Sequence, residues 1–97
     1  MMLIVEESHE EIDLDQTIAF TLRGKTFEKR REDFIRAINA VKPGRVHKYS
    51  VLISGRRYPI RQVLAAVTRL PAIAITSQDA YRVLEKFGFT VDTEERR

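Results

Sequence analysis

The chain has no cysteine and no tryptophan, and it has only two histidines, four glycines and three prolines among 97 residues. Without cysteine, disulfides, thiolate zinc sites, iron–sulfur clusters and cysteine nucleophiles are excluded together. No Asp-rich loop of calcium-binding form is present either, so we expect no metal and no cofactor. With 43% hydrophobic and 32% charged residues, the composition predicts one folded domain rather than a disordered chain.

Long apolar runs are also missing at the start of the chain. The apolar leader, residues 1–5, is too short for a membrane span or a signal-peptide core, and no basic residue precedes it. The absence of cysteine is compatible with a reducing compartment. We therefore expect a soluble, cytoplasmic protein that has no membrane partner.

Acidic residues are absent from residues 34–78, although the chain has 14 acidic residues in all. This acid-free segment carries eight of the 17 basic residues, whereas the formal net charge of the chain is only +3. Such a concentration of positive charge attracts a polyanion, and we expect nucleic acid, with DNA favoured, as the partner. The acidic stretch in residues 1–16 leaves a second interpretation open, in which folding balances these charges in space.

Hydrophobic periodicity predicts an α+β fold, with three helices packed on a small antiparallel sheet that contains a basic β-hairpin. Two alternating runs predict strands over residues 17–22 and 47–53, and Ser54-Gly55 predicts the tight turn of the hairpin. A short segment after Gly88 predicts an edge strand over residues 89–91.

Apolar residues at helical spacing predict the three helices. The first is expected to begin at a Thr26 cap and to stop before Pro43, and the second is expected to begin at Pro59. The third is expected to begin at a Thr76 cap. Residues 72–75 are expected to form an apolar connector, with a small buried strand as the alternative.

The sequence also predicts the domain organisation. Residues 17–91 are expected to form the single α+β domain, with residues 1–16 as an acidic arm and residues 92–97 as a frayed tail.

No catalytic constellation is visible, so we expect no enzyme activity. His47 is the only histidine in residues 17–91, and beside Tyr49 it is expected at the core or its boundary rather than as a general base. A metal-dependent nuclease centre on four carboxylates of the arm is a remote alternative, because that segment has no rigid framework; these are Glu10, Glu11, Asp13 and Asp15.

The densest basic charge lies on the predicted hairpin and the helix after it. Arginine side chains bind phosphate oxygens bidentately, and a helix N-terminus offers backbone N–H groups to a second phosphate. Tyr49 and Tyr58 are expected either to stack on bases or to close the core, and core packing is favoured. The predicted nucleic-acid-binding residues are Arg45, Lys48, Arg56, Arg57, Arg61, Ser77 and Gln78.

A family resemblance points in the same direction. The run YSVLISGRRYPIRQV (49–63), followed by TSQDA (76–80), Leu84 and Gly88-Phe89, covers about half of the chain. It resembles a small domain in the N-terminal part of prokaryotic HNH-type restriction endonucleases and related defence proteins. The resemblance implies a DNA-associated module without the nuclease domain, because the chain has no HNH-like histidine cluster. The acidic residues 1–16 are not part of the pattern.

Two functional classes therefore remain open. The first is a small DNA-binding module without its own catalytic centre, which could act beside a separate catalytic subunit. The alternative is a protein-interaction or regulatory module that docks its cationic surface on an acidic partner or on a second copy of the chain.

Overall fold

Two β-hairpins organise the fold in the computed structural model, which describes residues 16–93. The elements of this part, in chain order, are β1 (Ile18–Leu22), β2 (Lys25–Lys29), α1 (Arg31–Asn39), β3 (Tyr49–Ile53), β4 (Arg56–Pro59), α2 (Ile60–Thr68), a 3₁₀ turn (Ala72–Ala74), α3 (Ser77–Lys86) and β5 (Val91–Thr93). The class is α+β, as predicted. The predicted acidic arm lies outside the described residues except for Gln16, and so do residues 94–97 of the predicted tail.

The first hairpin corrects the sequence prediction. Residues 25–29 form strand β2, whereas we predicted the start of a helix capped by Thr26. Arg23 and Gly24 both have positive φ (53° and 78°), the geometry of a two-residue hairpin turn. Phe20 and Phe27 then lie opposite each other across the strands, with ring centroids 5.4 Å apart. This cross-strand pair outweighs the helical spacing of Phe27.

Helix α1 consequently begins later than predicted. Its N-cap residue is Arg30, whose backbone N–H donates a hydrogen bond to the Asp33 carboxylate at 2.7 Å. A carboxylate in the first turn satisfies a free N–H and faces the positive end of the helix dipole.

The strands form two sheets rather than the single predicted sheet. One sheet is the β1-β2 hairpin, and the other has the order β4-β3-β5 with antiparallel pairing throughout. The predicted turn of the second hairpin is confirmed, with positive φ at Ser54 and Gly55 (53° and 81°). The predicted edge strand pairs with β3, but it spans Val91–Thr93 rather than residues 89–91 and so runs past the predicted domain boundary at residue 91.

Aromatic side chains join the first hairpin to the helices. Phe34 of α1 and Phe87 at the end of α3 have ring centroids 4.5 Å apart, and Phe20 of β1 packs edge-on against Phe87 at 5.6 Å. All three are buried. Because no tryptophan is available, these phenylalanines supply much of the apolar area that one thin core can bury.

Tyr58 ties the second hairpin to the end of α1. Its side chain is 1% exposed, and its hydroxyl donates to the carbonyl oxygens of Ile38 and Val41, both at 3.2 Å. The last carbonyls of a helix lack partners within the helix, so a buried tyrosine can satisfy them. This contact places β4, and therefore the start of α2, against the end of α1.

The connection between α2 and α3 differs in part from the prediction. Helix α2 ends at Thr68 and is followed by its C-cap Arg69 in the left-handed conformation (φ 66°), and residues 72–74 form a 3₁₀ turn rather than a buried strand. Ile73 is 88% exposed there. The predicted Thr76 cap is confirmed, since its hydroxyl accepts the Asp79 N–H at 3.1 Å. Within residues 16–93, no helix has both the length and the apolar character to cross a membrane.

Candidate functional site

A cleft of about 370 Å³ opens where four parts of the chain meet. These are the loop before β3, the end of β4, the first turn of α2, and the connection that leads into α3. We call it the basic cleft; its lining residues are Gly44, Arg45, His47, Lys48, Tyr49, Pro59, Ile60, Arg61, Gln62, Ala72 and Ser77. Its volume falls at the low end of the range of about 300–1,000 Å³ that is typical of ligand pockets.

Gln62 holds one wall of the basic cleft in place. Its side-chain amide donates to the carbonyl oxygen of Lys42 at 3.0 Å, and its side-chain oxygen accepts the N–H of Gly44 at 2.8 Å. The loop at residues 42–48 has no regular secondary structure, so these two hydrogen bonds fasten it to α2. The loop in turn presents Arg45 and Lys48 to the cleft.

Three cations with exposed side chains line the basic cleft: Arg45, Lys48 and Arg61. Within residues 16–93, none of the three forms an ion pair. The Lys48 ammonium lies over the ring of Tyr49, 5.2 Å from its centroid, a cation–π contact that leaves its N–H donors available. The cleft lining contains no carboxylate, because every lining residue belongs to the acid-free segment 34–78.

The structure brings four of the seven predicted binding residues together. Arg45, Lys48, Arg61 and Ser77 line the basic cleft, and Ser77 is the first residue of α3. Gln78 lies next to it and lines a neighbouring cleft. The predicted convergence of charge therefore centres on the end of β4 rather than on the hairpin turn.

The two arginines of the hairpin turn lie apart from this group. Arg56 follows the turn directly and is exposed, about 10 Å along the strand from the cleft-lining Pro59. Arg57 forms an ion pair with Asp92 of β5 at 2.8 Å, and it also donates to the Ser50 hydroxyl at 3.3 Å. Asp92 lies outside the acid-free segment, and it partly neutralises Arg57.

Two residues that line the basic cleft, His47 and Gln62, were not predicted from the sequence to belong to a binding site. His47 was expected at the core or its boundary, but β3 begins two residues later and His47 is exposed at the cleft. Gln62 was not among the predicted binding residues. No local pattern marks either residue, because both roles depend on the path of the loop before β3.

Tyr49 has a mixed environment. It is half-buried and packs against the core, as favoured from the sequence, and it also lines the basic cleft. The other tyrosine considered from the sequence, Tyr58, belongs entirely to the core.

The chemistry of the basic cleft is that of an anion site. Guanidinium, ammonium, hydroxyl and amide groups are hydrogen-bond donors, and the first two add positive charge. The apolar floor at Pro59, Ile60 and Ala72 reduces the competition from water. In residues 16–93, no group of three or more His, Asp or Glu side chains is placed to hold a metal ion.

Comparison with known proteins identifies the family of the chain. No curated protein and no solved structure matches the chain. A family model described as SCO5918-like matches residues 22–97, which include the acid-free segment and the whole lining of the basic cleft. This match carries no link to HNH-type endonucleases, and that resemblance stays a prediction. Because the matched region is most of the chain, the protein belongs to the SCO5918-like family.

Proposed function

We propose that the protein is a small nucleic-acid-binding module that holds backbone phosphates in the basic cleft and has no catalytic centre of its own. One observation carries the proposal: three cations without ion-pair partners in residues 16–93 line a cleft without a carboxylate. Each unpaired cation that contacts a phosphate releases a condensed counterion, and this release drives binding.

The resemblance seen in the sequence supports DNA as the nucleic acid, in the cytoplasm of a prokaryote and in a defence setting. In that setting the module would position DNA for a separate catalytic subunit. The cleft suits this role because phosphate contacts fix position on a nucleic acid without requiring a particular sequence.

The salt dependence of binding tests the proposal. Three phosphate contacts predict a slope of log K against log salt concentration of about −2 on single strands and about −3 on duplexes. Fluorescence anisotropy with labelled DNA at several salt concentrations measures both slopes. Arg45→Gln combined with Arg61→Gln should reduce the magnitude of the slope by about 1.4 on single strands and about 1.8 on duplexes, and should weaken binding to all sequences alike.

A matched control removes the same charge elsewhere. Lys25 is exposed on the β1-β2 hairpin, and Arg36 pairs with Glu32 on α1, so neither lines the basic cleft. Lys25→Gln combined with Arg36→Gln should leave the slope unchanged. The proposal fails if the wild type binds no DNA at low salt, or if the cleft and control variants behave alike. Binding of polyglutamate in place of DNA, lost in the cleft variant, would favour docking on an acidic protein instead.

A further inference from the structure

A second cleft adjoins the basic cleft and has a different chemistry. It has a volume of about 280 Å³ and shares Tyr49 and Ser77 with the basic cleft. We call it the tyrosine cleft; its lining residues are Tyr49, Ser77, Gln78, Tyr81, Arg82 and Glu85. A single ligand can therefore extend from one cleft into the other.

Two aromatic rings form a corner in the tyrosine cleft. Tyr49 of β3 and Tyr81 of α3 have ring centroids 5.5 Å apart and perpendicular planes. Both side chains are half-buried and pack against the core, so their positions are set by the sheet and the helix. The rings retain exposed surface toward the cleft, where a planar group can stack.

The remaining walls of the tyrosine cleft are polar. Gln78 is exposed at the start of α3 and offers both a donor and an acceptor. Arg82 is held by Asp79 at 3.1 Å, so its charge is partly neutralised within the helix. Glu85 adds a carboxylate that disfavours a phosphate in this cleft. The two clefts therefore suit different parts of one ligand, the first a phosphate and the second an uncharged planar group.

We propose that the nucleic acid bound by this protein is single-stranded, with a phosphate in the basic cleft and the adjoining base in the tyrosine cleft. This inference rests on the proposed function. In a duplex the base faces are stacked on one another, so a protein reaches only the backbone and the base edges, and the tyrosine rings have no base face to stack on. An unpaired base can place its face on a tyrosine ring, and this contact tolerates any sequence because every base has such a face.

The first test compares strands and duplexes on variants of Tyr81. An oligothymidylate of about 12 nucleotides and a duplex of similar length serve as probes. Tyr81→Leu keeps an apolar side chain but removes the ring, and it should weaken oligothymidylate binding about 5- to 150-fold, the range for loss of one stacked base. Tyr81→Phe keeps the ring and should bind like the wild type. Duplex affinity should be equal in all three proteins.

A thermal melt of each variant separates loss of stacking from loss of fold. Tyr81 packs against the core, so Tyr81→Leu is compared at a temperature where all three proteins are folded. If Tyr81→Leu proves unfolded, the fluorescence test below still decides the question.

The second test uses the tyrosines of the wild-type protein as reporters. The chain has no tryptophan and three tyrosines, so its ultraviolet fluorescence comes from tyrosine alone. Tyr58 is buried and hydrogen-bonded in the core, away from both clefts. A base stacked in the tyrosine cleft should quench the emission of Tyr49 and Tyr81 and leave that of Tyr58. Saturation with oligothymidylate should therefore remove a large part of the emission, and saturation with duplex should not.

The outcomes distinguish failure of this inference from failure of the proposed function. Equal affinity for strand and duplex, with no quenching and with unchanged dependence on Arg45 and Arg61, would overturn the single-strand inference and keep the phosphate site. No binding of either probe at low salt would overturn both. Preference for the single strand together with quenching supports both.

Discussion

Gln62 carries no charge, but we expect it to affect DNA binding because it holds the loop that carries two of the phosphate-binding cations. It joins α2 to the loop that carries Arg45 and Lys48, through one donated and one accepted hydrogen bond. In Gln62→Met both bonds are lost while the length of the side chain is kept. The freed backbone groups are exposed, so water replaces the side chain, and the loss of stability should be about 1 kcal/mol. For a domain of this size the melting temperature should fall by about 4–8 °C.

The same substitution should weaken DNA binding about fivefold. A loop that is no longer fastened must be ordered by the ligand, and an ordering cost of about 1 kcal/mol reduces affinity by that factor. The salt slope should stay unchanged because the same three cations still meet phosphates. Anisotropy titrations at several salt concentrations measure affinity and slope together. Unchanged affinity despite a lower melting temperature would refute the view that the position of this loop contributes to binding.

Gln62→Glu provides the matched comparison. The carboxylate can still accept the Gly44 N–H, but it cannot donate to Lys42, and it adds a negative charge to the lining of the basic cleft. We therefore expect Gln62→Glu to weaken DNA binding more than Gln62→Met, although it retains one of the two hydrogen bonds. Weaker binding by the Met variant would show that the tether matters more than the charge of the cleft.

Three further substitutions test the fold and the division of labour among the arginines. Tyr58→Phe removes the buried hydroxyl that donates to the carbonyl oxygens of Ile38 in α1 and Val41 after it, so thermal or urea unfolding should show a loss of about 1–2 kcal/mol. Gly55→Ala meets no neighbouring atom within 4 Å, yet its φ of +81° should cost about 1–2 kcal/mol in the same assay. An unchanged melting temperature would contradict either expectation. Arg57→Ala should leave the salt slope of DNA binding unchanged because Asp92 already pairs with Arg57, and a shallower slope would place this side chain on a phosphate.

The sequence predicted the second half of the fold better than the first. The Ser54-Gly55 turn, the Thr76 cap and the left-handed Gly88 each follow from local rules that leave few alternatives. Residues 25–29 satisfied two patterns at once, because Phe27 fits both a helical stripe and a strand opposite Phe20. The choice between them depended on the Phe20–Phe27 contact across the hairpin, which lies outside any helical periodicity.

The sequence predicted most of the basic residues of the candidate site, but not where on the fold they meet. The absence of acids from residues 34–78 identified the charge, and Arg45, Lys48 and Arg61 do line one cleft. What the pattern could not show is which cations are already paired, since the Arg57 partner lies on a strand 35 residues away. Tyr81 was missed for a similar reason: its part in the second cleft depends on its contact with Tyr49, which lies 32 residues earlier in the chain.

The acids that border the acid-free segment are satisfied by groups outside the basic cleft. Before the segment, Glu32 pairs with Arg36 at 2.6 Å and Asp33 accepts a backbone N–H at the start of α1. After it, Asp79 pairs with Arg82 on its own helix. A carboxylate that is satisfied by a near neighbour has less to gain from a distant cation. Within residues 16–93, no acid lines the basic cleft and the bordering acids pair locally, so no described carboxylate forms an ion pair with Arg45, Lys48 or Arg61.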